Sequence, residues 1–209
     1  MTEDGDTQRR EKYLRQTNEQ FAALGRYVQE FELVCFTLRH LMTSLLLQNG
    51  LRDQFLPATF LNHQSITARV LLDTACSMIL HLHKCDSGVT EIVNDLRRRF
   101  EKEIETRNDY LHGTWFIGWA SDDQQDFAEM TGFKGTTSPA KGIGLKQLAT
   151  SAAEMKARVE VLEEINDAFR RLLGCLIGKF SVKKNFVKYE GRYVSPDTVR
   201  RRGWKISDP

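Results

Sequence analysis

The sequence predicts a mainly all-α protein: a bundle of four long helices, a small β-hairpin or flap between the third and fourth, and a basic C-terminal extension. Three observations lead there. Apolar residues recur at three- and four-residue steps along four stretches, as in helices that bury one stripe. That rhythm breaks once, where short aromatic segments alternate with turn residues. The 209 residues, 41% hydrophobic and 28% charged, suffice for a sizeable core in one domain without metal or disulfide support. The expected organisation is a bundle over residues 1–178, with the hairpin or loop inserted at 114–143, followed by the extension at 179–209.

The first helix carries Leu14, Phe21, Leu24, Val28, Phe31, Cys35, Leu38, Met42 and Leu45, and Asn49-Gly50 ends it. A second opens after Pro57 and presents Leu61, Ala68, Leu71, Ala75, Met78 and Leu82. The third starts with Ser87 as N-cap, continues through Val89, Val93, Leu96, Phe100, Ile104 and Leu111, and stops at Gly113, a natural residue just past a helix end. The fourth runs from Leu145 and Leu148 through Ala152, Met155, Val159, Leu162, Phe169, Leu173 and Leu176, with Asn166 its one polar member. Four such stripes must pack on one another, which makes a bundle. Between the third and fourth, "TWFIGWA" and "DFAEMTGFKG", separated by "SDDQQ" and followed by "TTSPAKGIG", read as a hairpin or irregular flap. The tail "FSVKKNFVKYEGRYV" adds a strand or two, and "SPDTVRRRGW" a short capped helical turn.

Several function classes are set aside. No apolar run approaches a membrane span, and the polar start "MTEDGDTQRREK" lacks the apolar core of a signal peptide, so the expectation is a cytoplasmic protein with no membrane partner. The glycines around Lys141 lack the G-K-[ST] ending of a phosphate-cradling loop. Cys35, Cys76, Cys85 and Cys175 form no C-x-x-C pair and read as reduced thiols, three of them inside apolar patterns. In "HLHKCD", His81 and His83 are two apart and face different directions on a helix, so neither a metal site nor a cofactor is expected.

Net charge is only +2 but unevenly placed. From Lys179 onward come Lys183, Lys184, Lys188, Arg192, Arg200, Arg201, Arg202 and Lys205, opposed by Glu190, Asp197 and Asp208. Lys183, Lys184, Lys188 and the Arg200-Arg201-Arg202 run are candidate contacts to a polyanion, RNA first among them; a solvated tail is the alternative.

The third helix holds the most informative stretch, "ETRNDYLHGTW". At roughly 100° per residue from Phe100, the stripe residues lie within about 40° and Arg107 within about 20°. An arginine centred on an apolar stripe is costly unless its charge is paired or the stripe opens onto a polar cleft. Asn108 and His112, four apart, share a neighbouring face. Ordinary chemistry also fits: His112 complements the helix C-terminus, and Arg107 forms a buried pair with Glu103 or with a carboxylate on another helix.

Arg107-Asn108 followed by His112 at the end of a bundle helix resembles the R-x(4–6)-H motif of the HEPN superfamily, including the polar residue directly after the arginine. "RNDYLHGTW" is similar to the local form in many bacterial members, where glycine and an aromatic follow the histidine. The likeness extends to a helical architecture across residues of about 10 to 178, although only the short motif is specific. The resemblance implies a helical bundle that dimerises with motif helices facing, which would place Arg107 in a dimer cleft. It also implies a metal-independent endoribonuclease, acting as a toxin or in defence. In that chemistry the RNA 2′-hydroxyl attacks the adjacent phosphorus, leaving a 2′,3′-cyclic phosphate and a 5′-hydroxyl. His112 then serves acid–base work or substrate orientation, Arg107 the scissile phosphate, and Asn108 its positioning.

One departure bears on regulation. In the toxin subgroup whose motif continues His-x-Tyr, a nucleotidyltransferase modifies that tyrosine; here the position is Thr114, so an antitoxin of that kind is not implied, although another regulatory protein stays open. Two other readings stay open as well. One is a non-catalytic HEPN-like dimer that binds RNA or a protein partner, and the other an unrelated bundle with a structural arginine.

Overall fold

The structure, a computed structural model, describes residues 3–84, 86–117, 127–138 and 142–205. It is mainly helical, with a small antiparallel sheet. The chain divides into two compact units, Met1–Gln29 with Glu105–Glu160, and Glu30–Ile104 with Val161–Pro209. The helices α1 (Glu3–Gln48), α4 (Ser87–His112) and α5 (Ala152–Gly178) contribute a segment to each. Among the described residues no helix is long and apolar enough to cross a membrane.

The first unit is built on a three-stranded sheet in the order β1 (Thr114–Ile117), β2 (Glu129–Ser138) and β3 (Gly142–Ser151), antiparallel throughout. Trp115 on β1 stands opposite Gly132 on β2, and a Cβ there would lie 2.7 Å from the indole, so the ring fills the space a side chain would need. The start of α1 is tied to the sheet side by Gln16 Oε1, which accepts from Phe127 N (3.1 Å), and by Gln20 Nε2, which donates to the Ala128 carbonyl. Tyr13 meets Phe127 edge-on, and Tyr27, Tyr110, Met130, Met155 and Val159 are buried.

Leu145 and Leu148 belong to β3, not to the fourth helix as their spacing suggested. Gly142 and Gly144 weaken a helix there, pairing with β2 fixes an extended chain, and Leu145 is 70% exposed. The helix begins only at Ala152, where the Ser151 hydroxyl accepts from Glu154 N (3.1 Å). Residues 118–126 and 139–141, which include "GWA", "SDDQQ" and Lys141, lie outside the described residues, as do Cys85 and Asp208.

The second unit packs the remainder of α1, α4 and α5 with α2 (Phe55–Leu61) and α3 (Ala68–Leu82) around Phe31, Leu38, Leu41, Leu72, Ile79, Leu96, Phe100, Ile165 and Phe169, all fully buried. Asn166, the polar member of the α5 stripe, accepts a 2.6 Å hydrogen bond from Thr37. The predicted second helix is in fact two: α2 starts before Pro57 and ends at Asn62, whose side-chain amide donates to the Ala58 carbonyl. Thr67 then caps α3 by accepting from Val70 N. Asp86, rather than Ser87, caps α4, since its Oδ1 accepts from the backbone of Gly88 (2.9 Å) and Val89 (3.2 Å). Cys35, Cys76 and Cys175 are buried, and burial pushes the Cys76 thiol up to about 12.

The basic extension is a folded part of this unit. A two-stranded ladder of β4 (Val187–Tyr189) and β5 (Arg192–Val194) is followed by α6 (Pro196–Arg202), capped by Ser195 and closed by Gly203 at φ +64°. Val182, Phe186, Val194 and Val199 bury its apolar side.

Candidate nucleic-acid site

The last two turns of α4 carry the motif, and all its residues belong to the first unit. The apolar stripe runs buried through Val89, Val93, Leu96, Phe100 and Ile104. It does not continue to Leu111, which is 39% exposed; Tyr110 takes the buried place instead. The phenol of Tyr110 shares a 2.9 Å hydrogen bond with Thr150, its ring meets Tyr27 and Trp115 edge-on, and burial raises its pKa. The Tyr110 carbonyl, freed at the helix end, accepts from the Trp115 indole (2.8 Å).

Gly113 ends the helix for a different reason than expected. Its φ is not positive; a Cβ there would lie 3.0 Å from the Asp109 carbonyl, 3.1 Å from the Trp115 indole nitrogen and 3.2 Å from Leu148. Crowding by the last turn of the helix and by the sheet, rather than left-handed backbone, favours glycine.

Arg107 is half-buried, with its Nε enclosed, and its Nη1 donates to the Asn108 side-chain oxygen at 3.5 Å. Asn108 is also half-buried, and its carbonyl accepts from Lys134 Nζ at 3.2 Å. His112 is exposed at the end of the helix. The structure thus brings Arg107 and Asn108 together. His112 stands apart from Arg107, since five helical residues turn the chain by about 140°, whereas Asn108, Asp109 and His112 share one face.

Asp109 is the residue that pattern reading passed over. Its Oδ1 accepts from Lys134 (2.9 Å) on β2 and its Oδ2 from Lys146 (2.5 Å) on β3. Burial alone would raise the Asp109 pKa, but the two lysines outweigh it and hold the carboxyl below its usual range. Lys134 and Lys146 are direct partners in the β2–β3 ladder. "GFKG" and "GLKQ" contain both lysines, but only the strand register, which the helical reading of Leu145 obscured, sets them opposite each other.

The candidate contacts on the extension differ in how far their charge is committed. Lys183 and Lys184 lie exposed on a single 3-10 turn (Lys183–Asn185), and Lys188 on β4 is exposed with its ammonium 5.7 Å from the Tyr193 ring. Arg200 is exposed and 3.6 Å from Asp197. Arg201 is held by Asp167 at 2.6 Å, and Arg202 lies 3.9 Å from the buried Glu164. Among the described residues no three His, Cys, Asp or Glu side chains gather as a metal-ligand set. No protein-family model, curated protein or solved structure matches the chain.

Proposed function

We propose that the chain is an HEPN-type endoribonuclease that cleaves RNA without a metal, by attack of the 2′-hydroxyl on the adjacent phosphorus. On this reading its long helices form an HEPN bundle with the sheet as an insertion, and two copies complete one site. The observation that carries it is the end of α4, where Arg107 bonds Asn108, His112 lies exposed, and the carboxylate of Asp109 beside them is already neutralised by two lysines. Asp109 would otherwise repel a phosphate; with Lys134 and Lys146 on it, this end of the helix is net positive. Arg107 stabilises the phosphorane, Asn108 holds the guanidinium and the phosphate, and His112 moves a proton. The roughly 140° between Arg107 and His112 is met by a two-fold site in which each copy supplies a different group. Growth arrest or defence is the setting in which such an enzyme acts, under a regulatory protein that does not depend on a tyrosine at Thr114.

The test incubates purified protein with total RNA in excess EDTA and reads the ends by mass spectrometry. Wild type leaves 2′,3′-cyclic phosphates, while Arg107→Ala and His112→Ala cut at least a hundredfold more slowly, the lower end of what one acid–base or charge-stabilising group contributes. Since His112 is exposed, His112→Ala stays within about 0.5 kcal/mol of wild-type stability. Cleavage that survives both substitutions sinks the mechanism. RNA binding without cleavage selects the non-catalytic binding module instead.

A further inference from the structure

The lysine pair on Asp109 asks for an explanation beyond helix anchoring. Like charges directly opposite each other in a ladder destabilise it, yet Lys134 and Lys146 occupy one such pair. Asp109 offsets one of the two charges and leaves the other. The two ammonium groups are used differently. Lys134 is largely buried and spends donors on both Asp109 and the Asn108 carbonyl. Lys146 is 52% exposed and, among the described residues, makes one bond, to Asp109, which leaves two N–H donors toward solvent. Asp109 and His112, three apart, lie on the same helix face, so this surplus charge stands beside the histidine. An anchor alone needs one lysine; the second, half-exposed and with two donors unspent, suits an anion supplied from outside.

We propose that Lys146, with Lys134 and Asp109 behind it, forms a subsite for a backbone phosphate of an RNA strand next to the Arg107–Asn108–His112 motif. This rests on the ribonuclease reading for its ligand but is tested by binding alone. Lys146 contacts the phosphate, Lys134 supplies long-range charge, and Asp109 offsets one of the two charges.

The probe is a fluorescein-labelled 2′-O-methyl oligoribonucleotide, which cannot undergo 2′-hydroxyl attack, followed by anisotropy across a series of salt concentrations. Lys146→Gln should bind several-fold more weakly at low salt, with the slope of log affinity against log salt reduced by about 0.7, one single-strand phosphate contact. Lys146→Arg should restore the slope. Lys156→Gln, which removes an exposed lysine of the same unit held by Glu19, should leave it unchanged. Asp109→Asn should tighten binding if the lysines serve a phosphate. Melting of Lys146→Gln within about 3 °C of wild type shows that the fold is intact.

An unchanged slope in Lys146→Gln, an equal loss in Lys156→Gln, or weaker binding by Asp109→Asn each overturns the subsite. The ribonuclease reading fails separately: absent cleavage of ordinary RNA alongside a Lys146-dependent slope leaves the subsite standing. A wild-type protein that does not bind the probe at low salt overturns both.

Discussion

Two clusters of ion pairs among the described residues, one in each compact unit, use different cations in different ways. In the second unit, the Arg99 guanidinium reaches Glu164 (3.1 Å), the Tyr193 carbonyl (3.1 Å) and Asp95 (3.8 Å), while Asp95 also accepts from Tyr193 N (3.0 Å). Arg192 and Arg202 approach the same Glu164 at 3.8 and 3.9 Å. The Arg99 and Glu164 side chains are only 10% and 5% exposed. Here planar forks with many fixed donors knit α4, α5, β5 and α6 together, and burial, which lowers the Arg99 pKa, is opposed by Glu164 and Asp95. In the first unit, two lysines meet one carboxylate, and the outer one stays half in solvent. Lysine is a point charge with donors to spare, so that cluster keeps capacity for a ligand, while Arg99 directs its donors to Glu164 and the Tyr193 carbonyl.

The largest effect should come from breaking the arginine cluster. Glu164→Ala leaves Arg99, Arg192 and Arg202 facing one another without their shared carboxylate, which typically costs about 3–5 kcal/mol. Thermal unfolding should fall by roughly 10 °C for a chain of this size, with the RNA salt slope unchanged apart from the loss of folded protein. A melting point within a degree or two of wild type would mean that the cluster is not the seam it looks like. It also follows that truncation after Phe180 is a poor probe of RNA binding, since it uncovers the core side of Val182, Phe186, Val194 and Val199.

A smaller effect tests what holds the lysines opposite each other. Gly132→Val places a side chain where the Trp115 indole lies, two residues before Lys134 on the same strand. Overpacking of this kind costs about 1–3 kcal/mol. Near-ultraviolet circular dichroism should change with the tryptophan environment, and RNA binding should weaken although every charge is retained. An unaltered aromatic spectrum with full stability would show that the ring has room to move.

What was legible in advance follows the same division. Long helices were readable because a one-face stripe repeats over many turns, and the tail's ladder and capped turn because alternation, Ser195 and Gly203 are local signals. Two errors arose where a local signal was outvoted by contacts distant in sequence. Leu145 and Leu148 keep helical spacing but belong to a strand paired with β2, and Leu111 continues the stripe on paper but is displaced by Tyr110, whose hydroxyl meets Thr150. Arg107 was legible as a polar break in an apolar face, and Asn108 as its neighbour on the adjoining face. Lys134 and Lys146 were not, because their meaning depends on register, and register is set by the sheet as a whole.

The smallest effect is the most diagnostic of the lysine cluster, because its sign can be stated beforehand. The Asp109 carboxyl is held below its ordinary value of 3.8, so the unfolded chain takes up its proton first as pH falls. Its contribution to stability is therefore fully present above the ordinary carboxylate range and is lost as pH drops through the folded pKa. With Lys146 half-exposed the amount is under about 1 kcal/mol. The stability gap between wild type and Asp109→Asn, from urea unfolding, should be constant from pH 7 to about pH 5 and close below about pH 4. High salt should narrow the gap at neutral pH, as expected of a cluster open to solvent. A gap that widens with acid, or ignores salt, would place Asp109 in the same buried class as Glu164 and remove the distinction between the two clusters.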